Sequence, residues 1–418
     1  MSKDAKVKVI IAGAGDRGTT YARLAAMLPN VEIVGVAEPR EFHRNRLAEK
    51  HNVSAENVFT DWRDMAARDK FADAVVIATQ DRMHVEPAVA FAGKGYDMLL
   101  EKPMAPTAED CRTIVQAAVD AKIIFGVCHV MRYTDYTRKL KNLLDDGLIG
   151  DIVSVQHYEP VGWWHQAHSF VRGNWGNSDK SSCMLLAKSC HDLDWLRHIM
   201  AVPCRKVSSF GSLYHLRKES QPKGAGDRCL DCPVEPDCPY SAKKIYLGRV
   251  AKGETSWPVS VLHPEPTEES ITEALRTGPY GRCVYACDND VVDHQVVNME
   301  FEGGKSAVFT MTAFNKPHGR ETRIFGTRGE LYGDGSKLTH FDFLTEETTE
   351  IDTRASDASI LGGHGGGDGG LIMSFIAALA ERDPSKILTG PAETLETHLM
   401  VFAAEESRRE GTVVELDF

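Results

Sequence analysis

Three glycines at the spacing GxGxxG follow the first apolar run of the chain, in the segment 13–18. In a strand-to-helix turn of this kind, the first glycine permits a tight turn and the second lets the backbone approach a pyrophosphate. The third allows close helix–strand packing, and the helix N-terminus attracts the anion. The motif predicts a dinucleotide site with contacts from Gly13, Gly15, Asp16, Arg17 and Gly18. An ordinary turn without a ligand is the alternative.

An acidic side chain ends the next apolar run, at Glu38. A carboxylate in this position accepts hydrogen bonds from a ribose diol and repels a 2'-phosphate. The sequence therefore predicts NAD, and not NADP, as the preferred cofactor. Arg40 lies two residues further on, and its positive charge would soften that preference.

A lysine follows another predicted strand, in Glu101-Lys102-Pro103. Ligands of open parallel sheets bind outside the carboxyl ends of the strands, so Lys102 is expected in the same crevice as the glycine motif. An ammonium there can hydrogen-bond a substrate hydroxyl and stabilise negative charge as a proton leaves. Taken alone, a lysine in this position is more often a solvated surface residue.

Ten cysteines include a cluster with the spacing of a metal knuckle. Cys229 and Cys232 form a CxxC pair, Cys238 lies close by, and Cys283 or Cys287 can complete four thiolates. The cluster predicts a structural zinc, with an iron–sulfur cluster or uncoordinated reduced thiols as alternatives.

The first third of the chain alternates apolar runs with helical stretches, which is typical of βαβ units. The runs are rich in Val, Ile and Leu without strict alternation, as strands buried on both faces are. They span 7–12, 31–37, 74–78, 98–100 and 123–127. We expect a doubly wound parallel sheet, that is, a Rossmann domain over residues 1–128.

After Cys128 several predicted strands alternate apolar and polar residues, which favours an open, mostly antiparallel sheet covered by helices on one face. Residues 129–418 are therefore expected to form an α/β domain for substrate binding and oligomerisation, with a cysteine-rich insertion at about 225–290. The run Gly362–Gly370 precedes a helix, and its His364 is a candidate substrate contact.

Composition narrows the class of protein. Hydrophobic residues make up 42% and charged residues 26% of the 418 positions, values of an ordinary globular chain. A net charge of −12 without a basic stripe disfavours nucleic acid as a partner. The N-terminus lacks the pattern of a signal peptide, so the sequence predicts a cytoplasmic protein without a membrane segment.

Together, the glycine motif, Glu38, the segment 78–84 and Glu101-Lys102-Pro103 resemble the Gfo/Idh/MocA family of oxidoreductases. The resemblance implies a Rossmann domain, an α/β domain whose open sheet often makes oligomer contacts, and redox chemistry at a carbon of a sugar or cyclitol. It implies that Lys102 lies beside substrate and nicotinamide, with Glu101 next to it. The further contacts it implies are Thr79, Gln80 and His84 to the cofactor, and Arg132 and Tyr133 to the substrate.

The segment 188–194 is similar to the histidine motif of that family, in which the histidine serves as acid/base or orients the reacting hydroxyl. The resemblance assigns this role to His191, whose imidazole would titrate near neutral pH. Many members carry a carboxylate four residues earlier, where this chain has Ala187. Lys188, Asp192 and Asp194 are candidate substitutes, and the first two are expected to bind substrate.

Three functional hypotheses follow. The leading one is reversible hydride transfer between NAD and a secondary alcohol of a sugar or cyclitol in a homodimer or homotetramer. The alternative is an NAD-dependent glycoside hydrolase or lyase that oxidises its substrate transiently and then eliminates. A non-catalytic nucleotide-sensing protein is the third, and the presence of both Lys102 and His191 argues against it.

Overall fold

The computed structural model describes residues 6–353 and 364–418, and within them two β-sheets dominate the architecture. The first sheet lies in the N-terminal third of the chain and the second in the remainder. This confirms the predicted fold class of a Rossmann-type parallel sheet followed by an α/β domain with a mostly antiparallel sheet.

The first sheet has six parallel strands in the order β3-β2-β1-β4-β5-β6. The strands are β1 (Val7–Ala12), β2 (Val31–Ala37), β3 (Val58–Phe59), β4 (Ala74–Ile77), β5 (Asp97–Leu100) and β6 (Phe125–Val127). β4 and β5 are buried along their whole length, as the apolar runs 74–77 and 98–100 within them predict. The strand order reverses beside β1, and such a switch point opens a crevice at the carboxyl ends of the strands.

Five α-helices follow the strands of this sheet: α1 (Asp16–Ala26), α2 (Glu41–His51), α3 (Trp62–Ala67), α4 (Val85–Gly93) and α5 (Ala108–Asp120). Gly15 is the N-cap of α1, and the acidic residue Asp16 lies in the first turn, which suits the helix dipole. The side chain of Thr107 accepts a hydrogen bond from the backbone N–H of Asp110 and so caps α5. The sequence pattern predicts helical stretches at 17–28, 40–50, 85–93 and 108–120, which correspond to α1, α2, α4 and α5. It does not predict α3, which has only six residues.

The second sheet has nine strands in the order β14-β13-β12-β11-β7-β10-β9-β8-β15. Among the strand pairs described for this sheet, only β7–β10 is parallel. The strands are β7 (Ile152–Pro160), β8 (Cys204–Ser212), β9 (His294–Phe301), β10 (Ser306–Thr312), β11 (Glu321–Gly326), β12 (Gly329–Gly333), β13 (Lys337–Asp342), β14 (Thr348–Asp352) and β15 (Val414–Glu415). Buried and more exposed positions alternate along β9 and β10, so one face of the sheet is covered.

The helices of this part are α6 (Asp135–Asp145), α7 (Trp163–His165), α8 (Met184–Met200), α9 (Gly248–Val250), α10 (Glu268–Thr277), α11 (Gly367–Glu381) and α12 (Pro391–Glu410). α8 and α12 share an apolar core with the second sheet, through residues such as Trp195 and Met400. α11 instead packs against the first sheet, where Phe375 joins the cluster around β1. The last third of the chain therefore helps to complete the core of the first sheet.

The cysteine-rich segment has a small apolar core of its own. It surrounds a π-helical turn at Gln166–Arg172 and includes Tyr246, Ile271 and Leu275. The segment contains α9, α10 and several short 3-10 turns. Among the helices of residues 6–353 and 364–418, none combines the length and apolar character needed to cross a membrane.

Candidate active site

The glycine motif forms the turn between β1 and α1. Gly13 has φ +98°, and a Cβ there would lie 2.5 Å from the carbonyl oxygen of Ala78, so only glycine fits. A Cβ at Gly18 would lie 1.9 Å from the carbonyl oxygen of Gly13, which shows how closely α1 packs on the loop. At Gly15, by contrast, the only atom near a Cβ is Nη2 of Arg40, at 3.4 Å. The backbone at the second glycine therefore leaves room for a ligand at the N-terminus of α1.

A carboxylate lies beside this loop at the end of β2. Oε2 of Glu38 accepts a hydrogen bond of 2.9 Å from the backbone N–H of Ala14, and Oε1 accepts one of 2.7 Å from Nε of Arg40. Burial alone would raise the pKa of Glu38, but these bonds and the charge of Arg40 hold it below its usual value. Glu38 is therefore an ionised acceptor next to the turn, as a ribose site requires, and Arg40 is its direct partner.

Arg17 points across the domain interface. Its Nε donates to Oε1 of Glu101 at 2.6 Å, and its Nη2 donates to Oδ1 of Asp368 on α11, also at 2.6 Å. The hydroxyl of Tyr21 donates to the same carboxylate oxygen of Glu101 at 2.8 Å. The guanidinium predicted to contact the cofactor thus connects the glycine loop with the second half of the chain.

Glu101 is buried under this network. Burial would raise its pKa, but the positive charges of Arg17 and Lys102 hold the pKa below its usual value. Oε2 of Glu101 also accepts a hydrogen bond of 2.6 Å from the backbone N–H of Lys102. An ionised carboxylate bonded in this way fixes the backbone that carries Lys102 and is not a proton donor.

Lys102 reaches the helix that carries the histidine motif. Its Nζ donates to the backbone carbonyl of Ala187 at 2.9 Å. Ala187 and His191 are four residues apart on α8 and therefore lie on the same face of the helix. His191 is 8% exposed, and its ring packs edge-on against His129 with 5.7 Å between centroids. The structure thus brings the ammonium of Lys102 to the helix face of His191.

The segment after β4 contacts both the backbone after Lys102 and the second domain. His84 is fully buried, and its ring nitrogens face the carbonyl oxygens of Pro103 at 3.0 Å and Thr79 at 3.1 Å. It therefore fixes the loop, while Thr79 and the exposed Gln80 lie nearer the surface.

Asp81 in the same segment lies close to Lys102. Its Oδ2 accepts a hydrogen bond of 3.2 Å from Nε1 of Trp175, which lies in the second domain. Burial raises the pKa of Asp81, and the nearby charges of His84 and Lys102 oppose that rise. The carboxylate of Asp81 thus lies within electrostatic range of Lys102 and bonds the second domain through Trp175.

A second charged cluster lies along α8 and the carboxyl end of β7. Nζ of Lys188 pairs with Oε1 of Glu159 at 2.8 Å, and Nη2 of Arg320 pairs with Oε2 of the same carboxylate at 2.8 Å. Arg320 also pairs with Asp192, which accepts a further hydrogen bond of 3.0 Å from His157. Burial would raise the pKa of Asp192, but Arg320 and His157 hold it well below its usual value. Asp192 is fully buried and bonded to protein groups, whereas Lys188 is partly exposed.

Arg132 and Tyr133 form a buried connection beneath the site. Nε of Arg132 donates to Asp194 at 2.7 Å, and its Nη1 donates to the carbonyl oxygen of Leu388 at 2.7 Å. The hydroxyl of Tyr133 bonds the side chain of Thr389 at 3.1 Å. Asp194 is thus committed to Arg132, so it does not take the place of the carboxylate missing at position 187. The side chains of Arg132 and Tyr133 bond to other groups of the protein. The substrate contacts predicted for both residues stay predictions.

Two predicted features receive no support from these contacts. The side chain of His364 and the glycines at 362 and 363 lie outside the described residues. The predicted zinc ligands Cys229, Cys232, Cys238 and Cys283 line one small cavity as free thiols.

Polar groups of the protein already contact these thiols, since Nη2 of Arg172 lies 3.4 Å from Sγ of Cys229 and the backbone N–H of Gly226 lies 3.3 Å from Sγ of Cys232. In residues 6–353 and 364–418 no group of three or more His, Cys, Asp or Glu side chains is arranged to hold a metal ion.

The sequence analysis missed four residues around Lys102 and α8: Asp81, Glu159, Trp175 and Arg320. Glu159 directly follows the segment 152–158, whose pattern predicts a strand, and this position at a strand end could have marked it. Arg320 meets Asp192 across 128 residues, and no local pattern signals such a pair.

Comparison with known proteins assigns the family. Residues 7–129 match the profile described as "Oxidoreductase family, NAD-binding Rossmann fold", and residues 141–416 match that of its "C-terminal alpha/beta domain". The chain belongs to the Gfo/Idh/MocA oxidoreductase family.

Named relatives cover parts of this chain. YteT of Bacillus subtilis (strain 168), a protein named as an oxidoreductase, is 26% identical over 71% of this chain and 70% of its own length. The 2,7-anhydro-N-acetylneuraminate hydratase of Escherichia coli (strain K12) is 28% identical over 49% of this chain and 53% of its own length. Inositol 2-dehydrogenase of Salmonella typhimurium is 30% identical over 36% of this chain and 46% of its own length. The last two alignments thus span about half of each relative.

Solved structures of the same fold match nearly the whole chain. Levoglucosan dehydrogenase in complex with NADH superimposes with a TM-score of 0.72 at 18% sequence identity, covering 99% of both chains. At this identity the match shows the fold alone. The two-domain architecture is thus shared from end to end.

Proposed function

We propose that this protein is an NAD-dependent oxidoreductase that transfers a hydride between nicotinamide and a secondary alcohol of a sugar or cyclitol. The observation that carries the proposal is the bond of Lys102 to the carbonyl of Ala187. It sets an ammonium from the Rossmann sheet on the helix face of His191, at the crevice where the glycine loop opens.

The residues around the loop fit a dinucleotide. The open backbone at Gly15 and the N-terminus of α1 would hold the pyrophosphate, and Glu38 would accept hydrogen bonds from the adenosine ribose. The carboxylate of Glu38 repels a 2'-phosphate, which favours NAD. Bound NAD supplies the hydride acceptor, and the chain supplies position and charge.

Lys102 and His191 act on the substrate hydroxyl in this proposal. The ammonium of Lys102 donates to the hydroxyl oxygen and stabilises the negative charge that develops there. His191 takes the hydroxyl proton. Lys188, which is oriented by its ion pair with Glu159, would bind a further oxygen of the substrate.

Two names among the similar proteins support a polyhydroxylated substrate. Inositol 2-dehydrogenase and levoglucosan dehydrogenase are both named for oxidation of a ring that carries several hydroxyls. A site with ammonium, imidazole and carboxylate groups around one crevice offers the mixed donors and acceptors that such a ring needs.

A second candidate is redox-neutral cleavage or hydration through transient oxidation. The similarity to 2,7-anhydro-N-acetylneuraminate hydratase favours keeping it. The same bound NAD would take a hydride and return it within one turnover.

The test is a panel of sugars, cyclitols and aryl glycosides incubated with NAD, with NADH absorbance and aglycone release followed together. Accumulation of NADH with a polyol supports the dehydrogenase. Cleavage at constant NADH supports the second candidate. If neither signal appears while NAD binds, the proposed hydride transfer is wrong.

A further inference from the structure

The part of the glycine run 362–370 that the structure describes continues into α11 and packs closely on a neighbouring backbone. A Cβ at Gly367 would lie 2.3 Å from the carbonyl oxygen of Val130, and one at Gly370 would lie 2.5 Å from that of Tyr133. A larger side chain at either position would push α11 away from the 3-10 turn that follows β6. The two glycines therefore set how closely the first turn of α11 approaches this segment.

Asp368 lies between these glycines and is buried. It is 1% exposed, and its carboxylate oxygens accept hydrogen bonds from the guanidinium of Arg17, at 2.6 Å from Nη2 and 3.3 Å from Nη1. A carboxylate that bonds both ends of a guanidinium fixes the plane of that group. The side chain of Arg17 is 31% exposed, so without this partner it would have solvent to turn to.

The oriented guanidinium reaches one oxygen of Glu101. Nε of Arg17 donates to Oε1 at 2.6 Å, and the hydroxyl of Tyr21 donates to the same oxygen at 2.8 Å. The other oxygen, Oε2, accepts a hydrogen bond from the backbone N–H of Lys102 at 2.6 Å. Direct hydrogen bonds therefore lead from Asp368 to the backbone of Lys102.

The backbone of Lys102 decides where its ammonium lies. A lysine side chain is a flexible four-carbon stem, and here its Nζ is bonded at the far end to the carbonyl of Ala187. A shift at the backbone end moves Nζ relative to α8. A displacement of about 1 Å at a reacting group can lower a rate about 100-fold.

A second ion pair fastens α11 to the first sheet at the other end of the helix. Arg382, the C-cap of α11, pairs with Asp97 at the start of β5. Oδ1 of Asp97 also accepts a hydrogen bond of 2.7 Å from the backbone N–H of Ile124. Asp97 lies at the amino end of β5 and Lys102 follows its carboxyl end, so this pair holds the helix at the edge of the sheet opposite the site.

We propose that Asp368 is a positioning residue, which acts through Arg17 to hold Lys102 in place for the reaction. The glycines on either side bring its carboxylate to the guanidinium, and Glu101 transmits the constraint to the backbone of the lysine. The inference rests on the proposed function for the chemistry of Lys102.

The test compares Asp368→Asn, which keeps the shape of the side chain and removes its charge, with Asp368→Glu, which keeps the charge. The control is Arg382→Gln, which breaks the ion pair at the other end of α11. For each variant, kcat and KM are measured with NAD and the polyol of the panel that is oxidised fastest. Hydrogen exchange of the Lys102 amide is followed without substrate by site-resolved mass spectrometry.

We expect Asp368→Asn to lower kcat about tenfold to 100-fold while KM for NAD stays within about threefold. Exchange of the Lys102 amide should become about tenfold faster. Asp368→Glu should recover part of both losses, and Arg382→Gln should keep kcat within about twofold even where it lowers Tm. Because the effect runs through Lys102, adding Asp368→Asn to Lys102→Met should lower kcat by no more than about a further twofold.

Three results would overturn the inference. The first is a kcat and an amide exchange rate within about twofold of the unsubstituted protein in Asp368→Asn. The second is an equal loss of kcat in Asp368→Asn and Arg382→Gln, which would show that α11 contributes packing alone. The third is a KM for NAD that rises as much as kcat falls, because Arg17 would then serve the cofactor.

A second variant and the exchange measurement keep the outcome clear. If Asp368→Asn does not fold, Tyr21→Phe makes the same test, since it removes the other donor to Oε1 of Glu101. If no polyol is oxidised by the unsubstituted protein, the proposed function fails. The exchange rate of the Lys102 amide then decides the inference by itself.

Discussion

Replacing Lys102 with Met tests the site most sharply. The change keeps a long apolar stem and removes an ammonium that donates to the carbonyl of Ala187 at 2.9 Å. A single preorganised donor to a developing oxyanion contributes roughly 10²–10³-fold to kcat, which corresponds to about 3–4 kcal/mol. Folding should suffer less, because one charged hydrogen bond at a partly exposed site contributes about 1 kcal/mol.

The assay for Lys102→Met has three parts: kcat from NADH absorbance, NAD affinity by calorimetry and thermal unfolding. We expect kcat to fall by about 100-fold to 1,000-fold while NAD affinity stays within threefold. Lys94→Met is the matched control, because Nζ of Lys94 also donates to a backbone carbonyl, that of Ala67 at 3.1 Å, at an exposed site of the same domain.

Two results would refute this reasoning. A kcat within threefold of the unsubstituted protein would show that the ammonium does not meet the reacting oxygen. A loss of NAD affinity or of folding as large as the loss of kcat would show that Lys102 has a structural role only.

Three further predictions follow from the described contacts. Gly18→Ala should weaken NAD binding at least tenfold and lower Tm, because a Cβ there clashes with a backbone oxygen of the loop at 1.9 Å; calorimetry and thermal melts measure both. Glu38→Ser should shift the kcat/KM ratio towards NADP by at least tenfold, because it removes the repelling carboxylate and releases Arg40. Arg320→Met should destabilise the protein by about 3 kcal/mol in urea unfolding, because it leaves the buried carboxylate of Asp192 without its cationic partner.

The last prediction carries a pH dependence. The folded-state pKa of Asp192 lies below its unfolded value of about 3.9, so the ion pair stabilises the protein above about pH 4, and this contribution is lost as pH falls. The difference in stability between the unsubstituted protein and Arg320→Met should therefore shrink below pH 4. A constant difference in stability from pH 3 to pH 7 would contradict the proposed Asp192–Arg320 ion pair. Full NAD affinity in Gly18→Ala would contradict the predicted clash in the glycine loop. Unchanged cofactor preference in Glu38→Ser would contradict the role of Glu38 in selecting NAD.

The apolar runs of the first sheet were predictable because strands buried on both faces leave unbroken stretches of Val, Ile and Leu. The sequence patterns did not predict β3 and β15, which have two residues each, or β12 to β14 at one edge of the second sheet. β14 (Thr348–Asp352) exposes four of its five residues, so it carries no apolar signal. Strands of this kind form by pairing with a neighbouring strand, and local composition does not predict which segments pair.

The candidate site also contains some residues that a local sequence pattern predicts and others that only the fold brings together. The glycine motif, Glu38 and Lys102 were found because short motifs at strand ends have a local signature. The residues that pair with the side chains of the site could not be predicted in this way. Arg17 bonds Asp368 across 351 residues, and Lys188 meets Glu159 only after β7 packs on α8.

The most direct test of the whole account is a calorimetric titration of the purified protein with NAD and with NADH. A pyrophosphate on the N-terminus of α1 and a ribose on Glu38 predict saturable binding of one dinucleotide per chain, with NADP bound more weakly. Absence of saturable binding for both the oxidised and the reduced cofactor would contradict the central claim, because neither Lys102 nor His191 would then have a hydride acceptor to serve.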